Sequence, residues 1–198
     1  MDHGPQTRPS LVVRLGDRQD HAAWQEFVEV YEPLVYRLIR RGGLQDADAQ
    51  EVTQQVLVAV AGAVDRWQVD PAKGSFRGWL ATIARNLLTN YLVRQRRHAR
   101  GTGGTDFQRL LSEVAAPPGP ESALVALEYR RSLFRWAAER VRGQVQRATW
   151  EAFWQTAVAG RPVADVAAEL GSSPGAVYVA RSRVIRRLRQ EVEAFEKQ

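Results

Sequence analysis

The chain has 198 residues, 44% of them hydrophobic and 25% charged, a balance that fits one or two globular domains and excludes a wholly disordered chain. No apolar run approaches the ~20 residues of a membrane span, and the polar stretch Met1–Ser10 lacks the apolar core of a secretory signal, so the chain is expected in the cytoplasm, without membrane insertion. The net charge of +6 points to an anionic partner, because clustered cations bind phosphate backbones and release counterions.

Cysteine is absent, which excludes disulfides and thiolate metal sites. The histidines, His3, His21 and His98, are too scattered in sequence to predict a metal site. Charge is strongly segregated. Arg77–Arg100 holds six arginines and no acid, Gly171–Gln190 five arginines and no acid, and Leu44–Asp65 four acids and no base. Such segregation predicts separate surfaces for separate partners.

Residues 1–9, with Gly4, Pro5 and Pro9, are expected to be disordered. A helix follows in which Trp24, Phe27, Tyr31, Val35 and Leu38 share one face at three-to-four spacing. Pro33 is a site for a kink in it, and Gly42-Gly43 ends it. A second helix starts near Asp46, with acids in the first turn that suit the helix dipole. Its predicted inner face is Ala49, Val52, Val56, Ala59 and Ala63. Trp67–Ser75 reads as a loop through Asp70-Pro71 and Lys73-Gly74. Ser75 can cap a third helix that buries Leu80, Ile83, Leu87 and Tyr91 and runs on into Arg94, Arg96 and Arg97.

The composition changes over 101–121, where Gly101, Gly103, Gly104, Pro117, Pro118, Gly119 and Pro120 predict a flexible linker. Phe107, Leu110 and Leu111 are the linker residues able to dock. Beyond it, one helix carries Leu124, Leu127, Phe134, Ala138 and Val141, and another carries Trp150, Phe153, Trp154 and Ala157. Two further helices meet at Gly171. No β-periodicity of any length is present. The predicted fold is all-α, with a helical domain over 10–100, a linker over 101–121 and a second helical domain over 122–198.

The strongest local signal is a helix-turn-helix from Arg161 to Val184. Pro162 suits the start of its first helix, on which Val163, Val166, Ala167 and Leu170 face inward. Gly171 sits at the turn, where a positive φ is commonly needed. Ser173 and Pro174 form a cap and first position for the second helix, with Val177, Val184 and Leu188 inward. At 100° per residue, Tyr178, Val179, Ser182, Arg183 and Arg186 then fall on the outer face. A recognition helix presents such a face to the major groove, where arginine reads guanine and valine meets a thymine methyl. Arg186, Arg187 and Arg189 suit phosphates. Arg181 falls near the inner stripe, where an apolar residue is expected; its long stem would let it snorkel outward.

The third helix of the first domain has a polar face of Thr82, Arg85, Asn86 and Thr89, with Trp67, Phe76, Trp79 and Tyr91 near in sequence. Cations and amides interleaved with aromatics suit unstacked single-stranded bases. A solvated basic face over an aromatic core has the same pattern.

Three segments in order add a family resemblance. Asp48-Ala49-Gln50-Glu51-Val52-Thr53-Gln54-Gln55-Val56-Leu57 resembles the core-polymerase-binding segment of bacterial sigma factors. The stretch from Phe76 to Leu92 resembles their promoter-melting segment, and the helix-turn-helix resembles their fourth region. Order and spacing resemble the extracytoplasmic-function type of the sigma-70 related factors, which keeps regions two and four.

The resemblance implies a transcription initiation factor with no catalytic residues and no cofactor. Asp48, Glu51, Gln54 and Gln55 would dock on the clamp of the large polymerase subunit. The family usually has Asp and Glu where this chain has Glu51 and Gln55. Lys73, Arg77, Thr82, Arg85, Asn86 and Thr89 would hold the −10 element, where a base is flipped out and the strands separate. Tyr178, Val179, Ser182, Arg183 and Arg186 would read the −35 element. The linker would pass through the polymerase channels. Relatives of this type often work with an anti-sigma factor, which joins core RNA polymerase and double-stranded and melted promoter DNA among the implied partners. Two other readings compete. A stand-alone helix-turn-helix regulator would bind duplex DNA without polymerase, and an enzyme acting on nucleic acid would need a metal, phosphate or nucleophile constellation that the sequence does not offer.

Overall fold

The computed structural model describes residues 9–67, 75–98 and 122–197, so the expected linker over 101–121 and most of the Trp67–Ser75 loop, Lys73 included, lie outside the described residues. The expected disorder of residues 1–9 lies there too, apart from Pro9. Every regular element described is helical, as the sequence predicts. In chain order they are α1 (Pro9–Leu15), α2 (His21–Arg41), α3 (Asp46–Ala61), a 3-10 turn (Val64–Arg66), α4 (Phe76–His98), α5 (Ala123–Gln144), α6 (Arg147–Phe153), α7 (Val163–Glu169) and α8 (Pro174–Lys197). No helix among the described residues is long and apolar enough to cross a membrane. The chain divides into two compact units between Ser132 and Leu133, inside α5.

In the first unit, α3 packs on both α2 and α4, and α1 packs on α2 and the 3-10 turn. Pro9 is the first residue of α1 rather than part of a disordered tail. This short helix buries Leu11, Val12 and Leu15, and its Arg14 reaches Asp20 with two hydrogen bonds of 2.7 and 2.9 Å. Asp20 also caps α2, accepting from the Ala23 amide at 2.9 Å. Helix α2 ends at Gly42, followed by Gly43 at φ +90°, a backbone that glycine adopts without Cβ strain.

Helix α3 buries Ala49, Val52, Val56 and Ala59 as predicted, together with Thr53 and Val60. Thr53 satisfies its hydroxyl on the Ala49 carbonyl at 2.7 Å. Ala63 lies beyond the helix end and is only half-buried. Ser75 accepts from the Gly78 amide at 3.0 Å and so caps α4, which buries Leu80, Ile83 and Leu87 and leaves Tyr91 half-buried.

An aromatic stack fills the core of this unit. Phe27 and Tyr31 stack at 4.8 Å, Phe76 meets Tyr31 edge-on at 5.7 Å, and Trp67 and Trp79 flank Phe76 at 5.4 Å each. The beginning of α5 belongs to the same unit, and its register differs from the sequence reading. Leu124 and Leu127 are more than a third exposed, whereas Val125, Glu128, Tyr129 and Ser132 are buried. Hydrophobic counting favours the leucines, but ion pairs to α2 and ring stacking turn the charged and aromatic side instead.

In the second unit, Ala137, Ala138 and Val141 of α5 pack with Trp150 and Phe153 of α6 and Val184 and Leu188 of α8. Phe134, expected inside, is 37% exposed, and Leu133 takes the buried position. Trp154 and Ala157 are likewise exposed. They lie in a π turn, Trp154–Val158, that carries α6 out of simple helical register. A smaller cluster joins Ala152, Ala167 and Val177, with Val163, Leu170 and Ala180 packed against it.

Candidate nucleic-acid interface

The turn that aims the outer face of α8 is built as the sequence predicts. Gly171 has φ +58°. Its amide donates to Ala168 O at 3.2 Å and the Ser172 amide to Ala167 O at 2.9 Å, the paired bonds of a Schellman C-terminus. Ser173 Oγ then accepts from the Ala176 amide at 3.2 Å, and Pro174 opens α8, where a missing N–H costs nothing. Pro162 stands at the start of α7, in the N-cap position, where its carbonyl accepts from the Val166 amide at 3.2 Å. Arg161 reaches across α7 to Glu169 with two hydrogen bonds, one of 2.9 Å.

Val177, Val184 and Leu188 are buried, which fixes the rotation of α8. Tyr178, Val179, Ser182, Arg183 and Arg186 are all exposed and line one common surface depression. The structure therefore brings together all five residues that sequence periodicity selects. Tyr178 and Val179 stand 56% and 58% exposed, too open for core residues. Arg181 is half-buried at the edge of the inner stripe.

On α4 the picture is mixed. Arg85 and Thr89 are exposed and Asn86 is half-buried beside them. Thr82 is half-buried and gives its hydroxyl proton to Gly78 O at 2.9 Å. Arg77 is not on that face. It is buried, with its guanidinium 4.3 Å from the centre of the Tyr129 ring. Sequence spacing places Arg77 at the helix start but gives no sign that α5 covers it.

On α3, Glu51 and Gln54 are exposed and Gln55 is half-buried, with its Nε2 donating to Glu51 Oε1 at 3.0 Å. Asp48 is drawn instead toward α4. It accepts from Gln95 Nε2 at 3.4 Å and is hydrogen-bonded to the Tyr91 hydroxyl, an acceptor that raises the Tyr91 pKa above its ordinary value. Val58, which the sequence reading passes over, is 58% exposed seven residues beyond Glu51. It therefore extends the Glu51–Gln54–Gln55 strip by one apolar position.

A second group that sequence reasoning missed lies between α2 and the start of α5. Glu128 has a fully buried side chain and receives Arg37 Nε at 2.5 Å, Arg131 Nη1 at 2.8 Å and Arg41 Nη2 at 3.0 Å. Arg37 also donates to the Glu128 carbonyl at 3.1 Å and to the Ser132 hydroxyl. Burial by itself pushes the Glu128 carboxyl upward, but the hydrogen bond and charge of Arg37, with Arg131 and Arg41, hold it below its ordinary value. Tyr129, the next residue, lies between the Tyr31 ring at 5.6 Å and the Arg77 guanidinium.

Residues 27–98, from within α2 to the end of α4, match the sigma-70 region 2 family. The chain is similar to the ECF RNA polymerase sigma factor SigE of Mycolicibacterium smegmatis, at 31% identity over 106 residues, 54% of this chain and 38% of that protein. It is also similar to the ECF RNA polymerase sigma factor RpoE of Cereibacter sphaeroides, at 31% over 81 residues, 39% of this chain and 41% of that protein. The matched stretch thus spans about two fifths of each relative's length. The likeness is thus to sigma-70 region 2 over residues 27–98 and, over part of the chain, to two extracytoplasmic-function sigma factors.

Proposed function

We propose that the chain is a transcription initiation factor that binds core RNA polymerase, directs it to promoters and helps to melt the DNA. What carries this reading is the occurrence on one chain of a match to sigma-70 region 2 and a helix-turn-helix with an exposed, acid-free outer face. Glu51, Gln54 and Gln55, extended by Val58, form the strip offered to the polymerase clamp; Asp48 supports it through α4. The strip carries one full charge, so apolar and amide contacts supply much of its affinity.

Arg85, Asn86 and Thr89 face the −10 element, with Thr82 at the edge of the same face. Stacking and charge contacts there offset the few kcal/mol lost when a base leaves the stack. Arg183 is placed to read a guanine, Ser182 either base type and Val179 a thymine methyl, with Arg186 on a phosphate of the −35 element. These residues hold or orient polymerase and DNA rather than make or break bonds.

The test is co-elution of the purified chain with bacterial core RNA polymerase on a sizing column. The chain is expected to travel with the polymerase, and Glu51→Arg, which reverses the charge of the α3 strip, is expected to travel alone. Failure of the parent chain to co-elute in low salt would overturn the proposal.

A further inference from the structure

The seat that holds Glu128 and Tyr129 has the chemistry of a nucleotide site. Glu128 presents a carboxylate to two guanidiniums of α2, Arg37 and Arg41, at 2.5 and 3.0 Å. Guanidiniums bind carboxylate and phosphate through the same planar geometry, so the pair that seats Glu128 can seat a phosphodiester. Tyr129 places a flat ring 4.3 Å from the Arg77 guanidinium and 5.6 Å from the Tyr31 ring. Arginine planes and aromatic faces are the groups on which unstacked bases rest. An anion and a ring on consecutive residues thus occupy paired anion-binding and ring-binding positions.

Position within the first unit strengthens this. The ring series runs from Tyr129 through Tyr31 and Phe76 to Trp67, in steps of 5.6, 5.7 and 5.4 Å. Trp67 opens the sequence stretch that holds Lys73, one of the residues the family resemblance assigns to the −10 element. The α2 side is basic as well, since Arg37, Arg40 and Arg41 stand in a stretch without an acid from Leu34 to Gln45. Arg131, in contrast, belongs to α5 and leaves with it.

We propose that the start of α5 is a releasable nucleotide mimic. In the free chain, Glu128 and Tyr129 occupy a seat made by Arg37, Arg41, Arg77 and Tyr31 that takes a phosphate and base of single-stranded DNA once the segment leaves. This deepens the promoter-melting assignment and rests on it for its biological meaning. It gives the free chain a reason to ignore single-stranded DNA. Binding carries a penalty equal to the fraction of molecules with the seat open.

The test is binding of a fluorescent oligodeoxythymidine, which contains no promoter, to the full chain without polymerase. Glu128→Gln keeps the shape but removes the anion, and Arg131→Ala loosens the segment without altering the seat. Both are expected to bind roughly tenfold more tightly than the parent chain, as a larger open fraction requires. Adding Arg37→Ala to either is expected to abolish the gain, and Glu32→Gln, an exposed acid on the same helix, to leave affinity unchanged. Unchanged or weaker binding by both single variants, with circular dichroism showing them folded, would overturn the proposal. So would a gain that survives Arg37→Ala or appears equally in Glu32→Gln. Arg131→Ala keeps the test valid if Glu128→Gln does not fold. Polymerase association is measured separately, so loss of the sigma reading and loss of the mimic are distinct results.

Discussion

Arg37 and Glu128 meet at 2.5 Å although 91 residues of chain separate them. The contact joins α2 to the start of α5 inside one compact unit. Arg37 is the most buried of the three guanidiniums on this carboxylate, and only the more exposed Arg131 and Arg41 remain when it is removed. Arg37→Ala is therefore expected to destabilise the first unit by ~1.5–3 kcal/mol, the worth of hydrogen bonds to a charged group, read as a lower thermal midpoint. In a double-mutant cycle, the Arg37→Ala/Glu128→Gln pair is expected to lose less than the sum of the singles.

The same carboxyl makes stability depend on pH. Its pKa in the folded chain lies below its ordinary value of 4.5, so the folded state binds the proton less tightly than the unfolded one. The stability that Glu128 contributes is fully present above pH ~4.5 and is lost as pH falls through the lower folded value. Thermal midpoints of the parent chain are expected to drop on acidification below that point. Glu128→Gln removes this component, so its midpoint is expected to fall less steeply; parallel curves would contradict the assignment.

Gly171 isolates the backbone contribution of the turn. With φ +58° and nothing within 4 Å of the place a methyl group would take, Gly171→Ala introduces strain without a clash. The expected cost is ~1–2 kcal/mol from the left-handed backbone alone, measured as denaturant unfolding of the second unit. Ser173→Ala, which removes the cap of α8, is expected to cost ~1 kcal/mol.

Arg183 separates base reading from phosphate holding. If it makes a bidentate base contact, Arg183→Ala is expected to cost ~1–3 kcal/mol on the preferred promoter and to relax selection at one −35 position. Binding to a randomised −35 library checks this. Uniform weakening across sequences would make it a phosphate contact instead.

Much of this architecture is legible from local rules. The inner stripe Val177–Val184–Leu188 and the outer strip Tyr178–Arg186 follow from helical period, and Gly171, Ser173 and Pro174 from turn and cap chemistry. Three features required tertiary information. Helix α1 is only seven residues long and is held by Leu11, Leu15 and an Arg14–Asp20 pair, so its pattern is too short to stand out. The rotation of α5 follows Glu128 and Tyr129, whose burial depends on arginines from α2 and α4. Arg77 reads as an exposed cation until Tyr129 covers it.

On the proposed function, this chain converts core polymerase into a promoter-specific enzyme. The most direct test of this conversion is run-off transcription by purified core polymerase on a library of duplex DNA, with and without the chain. Initiation at discrete start sites, each preceded by a shared pair of −35 and −10 sequences and lost with Glu51→Arg, is the expected result. No specific initiation, combined with stable sequence-specific duplex binding by the chain alone, would contradict it and make the protein a stand-alone helix-turn-helix regulator.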